Sequence, residues 1–228
     1  MVCNVENHIT SSKINSIIFD LDGTIVDSQQ SIIESLRWAL KNSGVRPVMD
    51  LTTDLIGPPL IETLKKISGQ SDELLLRELV ESFKSRYDSV GYKSSRPFSG
   101  MESALWQLYN MGYELHIATN KRLIAAQNII KYFSLDKYFK SLYTIDLNCE
   151  SPFKNKSKMI EGLVRDQSLN PEHTLYIGDR ADDYHSARDN NIGCLLVGWG
   201  YGVETNELSG LSLVNTPSEL HLKISSFI

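Results

Sequence analysis

Ile17-Ile18-Phe19-Asp20-Leu21-Asp22-Gly23-Thr24 is an apolar strand that runs into two carboxylates, a glycine and a threonine. Strand side chains alternate between faces, so Asp20 and Asp22, two apart, project from the same side of the strand end. Two carboxylates held close repel, and each would take up a proton unless a cation sat between them. The economical reading is a Mg²⁺ site built from oxygen ligands. Gly23 lets the chain turn sharply there without a Cβ clash.

Four further segments read as strands: Tyr113 to Ala118, Leu142 to Ile145, Thr174 to Gly178 and Cys194 to Gly198; the first is Ile14 to Phe19. All are nearly continuous apolar runs, which suits a parallel sheet buried on both faces. Helical patterns separate most of them, at Glu102 to Asn110, Lys121 to Tyr132, Lys156 to Gln167 and Asp182 to Asn190. Strands alternating with helices predict an α/β, Rossmann-like, doubly wound parallel sheet. About ninety residues between the first two strands exceed what one crossover helix uses. Apolar stripes at Ser31 to Lys41, Pro59 to Ile67 and Glu73 to Tyr87 predict a small helical bundle there. The expected division is a catalytic core over 1–26 and 98–228 and an inserted α-helical cap domain over 27–97, with hinges near Asp27 and Pro97.

In an open α/β sheet, ligands bind outside the carboxyl ends of the strands. The polar exceptions of this chain fall there: Asp20 after the first strand, Thr119-Asn120 after the second, Gly178-Asp179 after the fourth, with Asp183 four residues on. Thr119, just before a helix start, suits a phosphate oxygen, although a plain helix cap would use the same residue. Lys154, Lys156 and Lys158 alternate ahead of the helix that carries Met159, Ile160, Leu163 and Val164. Lys156 lies three and four residues before Met159 and Ile160, so it shares their buried face and is the lysine aimed at the carboxylates. Lys154 and Lys158 read as solvated charges. Asp182 reads as a helix cap, Arg180 as a structural ion pair and His116 as a packed core residue.

Asp20-Leu21-Asp22-Gly23-Thr24, Thr119, Lys156 and Gly178-Asp179-Arg180-Ala181-Asp182-Asp183, in that order, resemble the four motifs of the haloacid dehalogenase-like phosphohydrolases. No proline follows Lys156, as one often does in that family. Ile56-Gly57-Pro58-Pro59-Leu60, Ala118-Thr119-Asn120-Lys121 and Trp199-Gly200-Tyr201-Gly202 look most like the phosphoglycolate phosphatase group with an α-helical cap. The resemblance implies that Asp20 is a nucleophile forming an aspartyl-phosphate and that Asp22 is the general acid and then the base. It implies Mg²⁺ held by Asp20, the backbone carbonyl of Asp22, Asp179 and, through water, Asp183. Thr119 and the N–H of Asn120 would hold phosphoryl oxygens, and Lys156 would offset charge. The implied substrate is a small phosphorylated metabolite. A nucleotide phosphatase, a pyrophosphatase or a sugar phosphomutase would carry the same core. A non-catalytic binding protein is the reading from another class, and it has no need of both Asp20 and Asp22.

The 228 residues are 41% hydrophobic and carry a net charge of −5, which argues against a broad nucleic-acid surface. No apolar run reaches the ~18 residues of a membrane helix. Cys3, Cys149 and Cys194 are odd in number and far apart, so reduced thiols and a cytoplasmic location are expected. Met1 to Ser12 does not read as a signal peptide. A monomer or a homodimer is expected.

Overall fold

The computed structural model describes residues 14–147, 153–202 and 212–226. Six parallel strands form the main sheet: β1 (Ser16–Phe19), β4 (Glu114–Thr119), β5 (Ser141–Thr144), β6 (Thr174–Gly178), β7 (Gly193–Val197) and β8 (Leu213–Val214), in the order β5-β4-β1-β6-β7-β8. β1 lies between β4 and β6, with Phe19 opposite Ile117 on one side and Ile177 on the other. A central strand has no solvated face, which is why every residue of β1 is buried.

Alternate residues of β1 enter two separate cores. Ile17 and Phe19 pack with α4 (Met101–Asn110), α5 (Leu123–Tyr132) and α8 (Leu220–Ser225). Ile18 packs with α6 (Lys156–Asp166) and α7 (Ala181–Asp189). The sheet is therefore covered by helices on both faces, the doubly wound arrangement expected. His116 is buried inside this layer, where its Nδ1 lies 2.8 Å from Ser141 Oγ, and burial pulls its pKa down to about 4. Cys194 is a free thiol, whereas Cys3, Cys149 and the Met1–Ser12 segment lie outside the described residues. Among the described residues no helix is long and apolar enough to cross a membrane.

Between β1 and β4 the chain forms a two-stranded stalk of β2 (Val26–Asp27) and β3 (Arg96–Pro97), with Val26 opposite Pro97 and Asp27 opposite Arg96. The stalk brings the departing and returning chain side by side. Beyond it lie α1 (Gln29–Asn42), α2 (Leu60–Ser68) and α3 (Glu73–Ser89). Leu36 and Leu40 of α1 and Leu76, Leu79 and Phe83 of α3 are buried in their contact. Phe83 and Tyr87 stack with ring centroids 5.4 Å apart. These helices stand over the carboxyl edge of the sheet, above the ends of β1, β4 and β6.

Candidate active site

The Asp20 N–H donates to Ile177 O at 2.9 Å, one residue beyond the last pair of the β1–β6 ladder. Asp20 is thereby fixed at the sheet edge between Thr119, the last residue of β4, and Asp179, which follows β6. From α6, Lys156 enters the same spot. Its Nζ lies 2.6 Å from Asp183 Oδ1 and 3.5 Å from Asp20 Oδ2. The other oxygen of Asp183 accepts hydrogen bonds from the backbone N–H of Asp179 at 3.0 Å and of Arg180 at 2.9 Å. Asp183 thus braces both the lysine and the loop. One oxygen each from Asp20, Asp179 and Asp183 lie within 4.8 Å of one another, all three residues buried. Lys154 and Lys158 are exposed, and Lys158 pairs with Glu161.

Burial makes this set electrostatically unbalanced. It pushes the Asp20 carboxyl up to about 6, opposed by Lys156 and reinforced by Asp183 and Asp22. It pushes Asp179 up to about 8, reinforced by Asp183 and Asp20. Burial alone would lower Lys156, but Asp183 and Asp20 outweigh it and hold the ammonium above the usual lysine range. Asp20 Oδ1 and Asp179 Oδ1 are buried without a hydrogen-bond partner among the described residues. Two stranded carboxylate oxygens in a site with more carboxylates than cations are what a divalent, oxygen-preferring ion would satisfy. The donor set therefore fits Mg²⁺. Gly23, at φ +82°, makes the crowding possible, because a Cβ there would stand 2.4 Å from Asp179 Oδ2.

Asp22 belongs to a second cluster. Lys121 Nζ lies 2.9 Å from each of its carboxylate oxygens, and the Ser28 hydroxyl donates to Oδ1 at 2.6 Å. Lys121 also rests over the Tyr87 ring of α3, 4.6 Å from the centroid. Burial opposes the charge on Lys121, but Asp22 and Tyr87 outweigh it and raise its pKa. The sequence alone marks Lys121 only as part of the Ala118–Lys121 pattern and assigns it no role. Its signal was its place two residues after Thr119, at the open edge of the sheet. The Thr119 hydroxyl accepts from the Lys121 N–H at 3.3 Å.

Two side chains of this edge reach up to the loop before α2. Asn120 Nδ2 donates to Gly57 O at 3.2 Å and Arg180 Nη1 to Ile56 O at 2.6 Å. Among the described residues Arg180 makes no ion pair, contrary to the expectation from the sequence, and ties two loops together instead. Asp182 is exposed and does not cap α7; the capping carboxylate is Asp183, one residue on. α5 begins at Leu123 rather than Lys121, because Asp146 Oδ1 accepts from the Leu123 N–H at 2.8 Å. Between the two layers lies a cavity of about 130 Å³, with Asp20, Asp22 and Thr119 at its floor and Leu36, Pro58 and Phe83 among its walls.

The family model described as "Haloacid dehalogenase-like hydrolase" matches residues 17–197. The chain is 34% identical over 190 residues to a 5'-nucleotidase of Pseudomonas aeruginosa, covering 83% of this chain and 85% of that one. It is 31% identical to the tyrosine-protein kinase PtkA of Mycobacterium tuberculosis, covering 82% of this chain but only 62% of that longer protein. It is 28% identical to a phosphoglycolate phosphatase of Agrobacterium fabrum over 81% of this chain and 80% of the relative. Among solved structures, a hydrolase of the haloacid dehalogenase-like family from Streptococcus pneumoniae superposes with a TM-score of 0.80 at 28% identity, covering 92% of this chain and 97% of that one.

Proposed function

The chain belongs to the haloacid dehalogenase-like hydrolase family, and on that premise we propose that it is a Mg²⁺-dependent phosphatase of small phosphate monoesters that works through an aspartyl-phosphate on Asp20. The observation that carries the reading is the pair of stranded oxygens, Asp20 Oδ1 and Asp179 Oδ1, buried beside Lys156 at the carboxyl end of the central strand. Asp20, Asp179 and the backbone carbonyl of Asp22 would hold the ion, with Asp183 behind them. Bound there, Mg²⁺ would neutralise the nucleophile and the phosphoryl oxygens.

In the first half-reaction an Asp20 oxygen forms a bond to phosphorus while the bond to the ester oxygen breaks, and Asp22 gives its proton to the departing oxygen. In the second, Asp22 takes a proton from water, the water oxygen bonds to phosphorus, and the Asp20–phosphorus bond breaks. Lys121 holds both oxygens of Asp22, so Asp22 can meet the leaving group only when Lys121 lets go of it. A phosphoryl group entering with two negative charges offers Lys121 a better partner and frees Asp22. Thr119 and the Asn120 N–H would hold phosphoryl oxygens, and Lys156 offsets their charge. Replacing Lys156 by Ala should lower kcat/KM on the order of 10²-fold or more, since a charged donor in a dry site is lost. Lys154→Ala and Lys158→Ala should change it less than about twofold, because neither side chain reaches the site. Steady-state kinetics on an aryl phosphate measures all three.

For the leaving group, the cavity walls favour an uncharged, largely apolar alcohol. Each cation that lines the cavity already has an anionic partner. Lys121 holds Asp22, and Arg122 makes a bidentate pair with Asp88 of α3 at 2.6 and 3.1 Å. A second anionic group on the substrate, such as the carboxylate of phosphoglycolate, would be buried unpaired against Leu36, Pro58 and Phe83, which is costly. The Pseudomonas relative's name, 5'-nucleotidase, also points to an uncharged leaving group. Phosphate release from a panel of esters tests this. Nucleoside or aryl monophosphates should exceed phosphoglycolate in kcat/KM by about tenfold or more, a difference of only ~1.4 kcal/mol. The reverse order would overturn this choice of leaving group in favour of phosphoglycolate.

A further inference from the structure

Ser28 stands at the N-cap of α1, yet its hydroxyl makes no capping bond and is directed to Asp22 Oδ1. Serine is a preferred N-cap because its oxygen accepts from the first free N–H groups of the helix, which otherwise lack partners. In this chain the two N–H groups just ahead of those, at the N-cap and at the first helical residue, are held from far away, the second shared with Asp27 Oδ1 at 3.1 Å. The N–H of Ser28 and of Gln29 donate to the Tyr201 hydroxyl at 2.7 and 3.1 Å, and that hydroxyl donates to Asp27 Oδ1 at 2.8 Å. One phenol thus accepts two hydrogen bonds and donates one, its full capacity. The segment that carries it is pinned at both ends: Trp199 Nε1 donates to Thr24 O at 3.0 Å and the Tyr201 N–H to Asp179 Oδ2 at 2.7 Å. Trp199 to Gly202 is the one motif of the sequence that the proposed chemistry leaves without a task.

We infer that Tyr201 is a positioning residue for Asp22: by holding the backbone N–H of Ser28, its hydroxyl fixes the start of α1 where the Ser28 side chain meets the Asp22 carboxylate. This rests on the reading of Asp22 as the general acid. Ser28 is fully buried, so its hydroxyl has no water to turn to. Its donated hydrogen bond fixes one Asp22 oxygen, so that once Lys121 turns to the phosphoryl group the other can face the departing group. Without the Tyr201 hydroxyl, the Ser28 N–H is left unpaired and the helix start shifts to find a partner, so Ser28 no longer holds Asp22. The effect belongs to the proton delivered to the leaving group. A leaving group that departs without a proton is therefore spared.

The test compares two substrates, p-nitrophenyl phosphate and a simple alkyl phosphate. Tyr201→Phe should lower kcat on the alkyl ester by about tenfold, a fraction of the ~10²–10⁴ of full general acid catalysis, and change the p-nitrophenyl rate by less than about twofold. Ser28→Ala should show the same selectivity, and the double variant should lose no more than either single one, because both act through one contact. Ser28→Ala also carries the test should Tyr201→Phe fail to fold, which circular dichroism and Tm reveal. Equal losses on both esters would mean a merely structural role and overturn the inference, as would additive losses. Asp22→Asn separates this failure from failure of the underlying reading. If it shows strong selectivity against the alkyl ester while Tyr201→Phe and Ser28→Ala show none, only the positioning role falls. If Asp22→Asn shows no selectivity, general acid catalysis by Asp22 falls and the inference with it.

Discussion

Asp20→Asn should abolish turnover, with kcat reduced on the order of 10⁴-fold or more, while the fold remains intact. The substitution keeps the shape of the side chain and the backbone bond that pins it to Ile177. It removes the anionic oxygen that attacks phosphorus, and no neighbour can replace it. Asp183 is tied to Lys156 and the loop, Asp179 holds the Tyr201 N–H with one oxygen and keeps the other for the ion, and Asp22 is anchored by Ser28. Stability should change little or rise in the metal-free protein. Asn brings no charge into a buried site where burial already pushes the Asp20 carboxyl up to about 6. A variant that melts like the parent and is inactive on every ester of the panel is the expected result. Wild-type rates would remove Asp20 from the chemistry.

Metal removal should have an effect of similar size on activity and a distinct one on stability. Excess chelator should silence the enzyme and added Mg²⁺ restore it, with Ca²⁺ a poor substitute because its longer, more variable coordination misplaces the nucleophile. The stability effect has a sign. In the metal-free protein the Asp20 and Asp179 carboxyls are raised to about 6 and about 8, from 3.8. A folded-state pKa above the unfolded value means that the folded state binds the proton more tightly. That contribution is fully present below about pH 4 and is lost as pH rises through about 6 and then about 8. The Tm of the chelated protein should therefore fall between pH 5 and pH 8.5, apart from losses due to other groups that the Asp20→Asn, Asp179→Asn pair would still show. Mg²⁺, which binds the ionised site, should raise Tm more at the alkaline end. A Tm gain from Mg²⁺ that is independent of pH would count against these two carboxylates as ligands.

The sheet and the positions of its polar exceptions were legible because both depend on local pattern. Apolar runs of five or six residues mark buried parallel strands, and Asp20, Thr119 and Asp179 follow such runs directly. Lys156 could be separated from Lys154 and Lys158 by helical phase alone. β8, two residues long, carries no period to read. The remaining misses are contacts across the chain. Lys121 meets Asp22 over a separation of 99 residues and Tyr201 meets Ser28 over 173. Nothing local distinguishes these side chains from solvated ones. Ser28 shows the difficulty most plainly. Its type and position announce an N-cap, yet its hydroxyl goes to Asp22 while its own N–H is held by Tyr201 from late in the chain.

The central claim is a covalent phosphoryl group on Asp20, and trapping it is the most direct test. Enzyme turning over a radiolabelled aryl phosphate with Mg²⁺ is quenched in acid, digested and mapped. The account predicts label on the peptide that carries Asp20, labile to mild alkali as an acyl phosphate is, and absent from Asp20→Asn. Label on another residue, or steady release of phosphate with no labelled protein at any time after mixing, would contradict it.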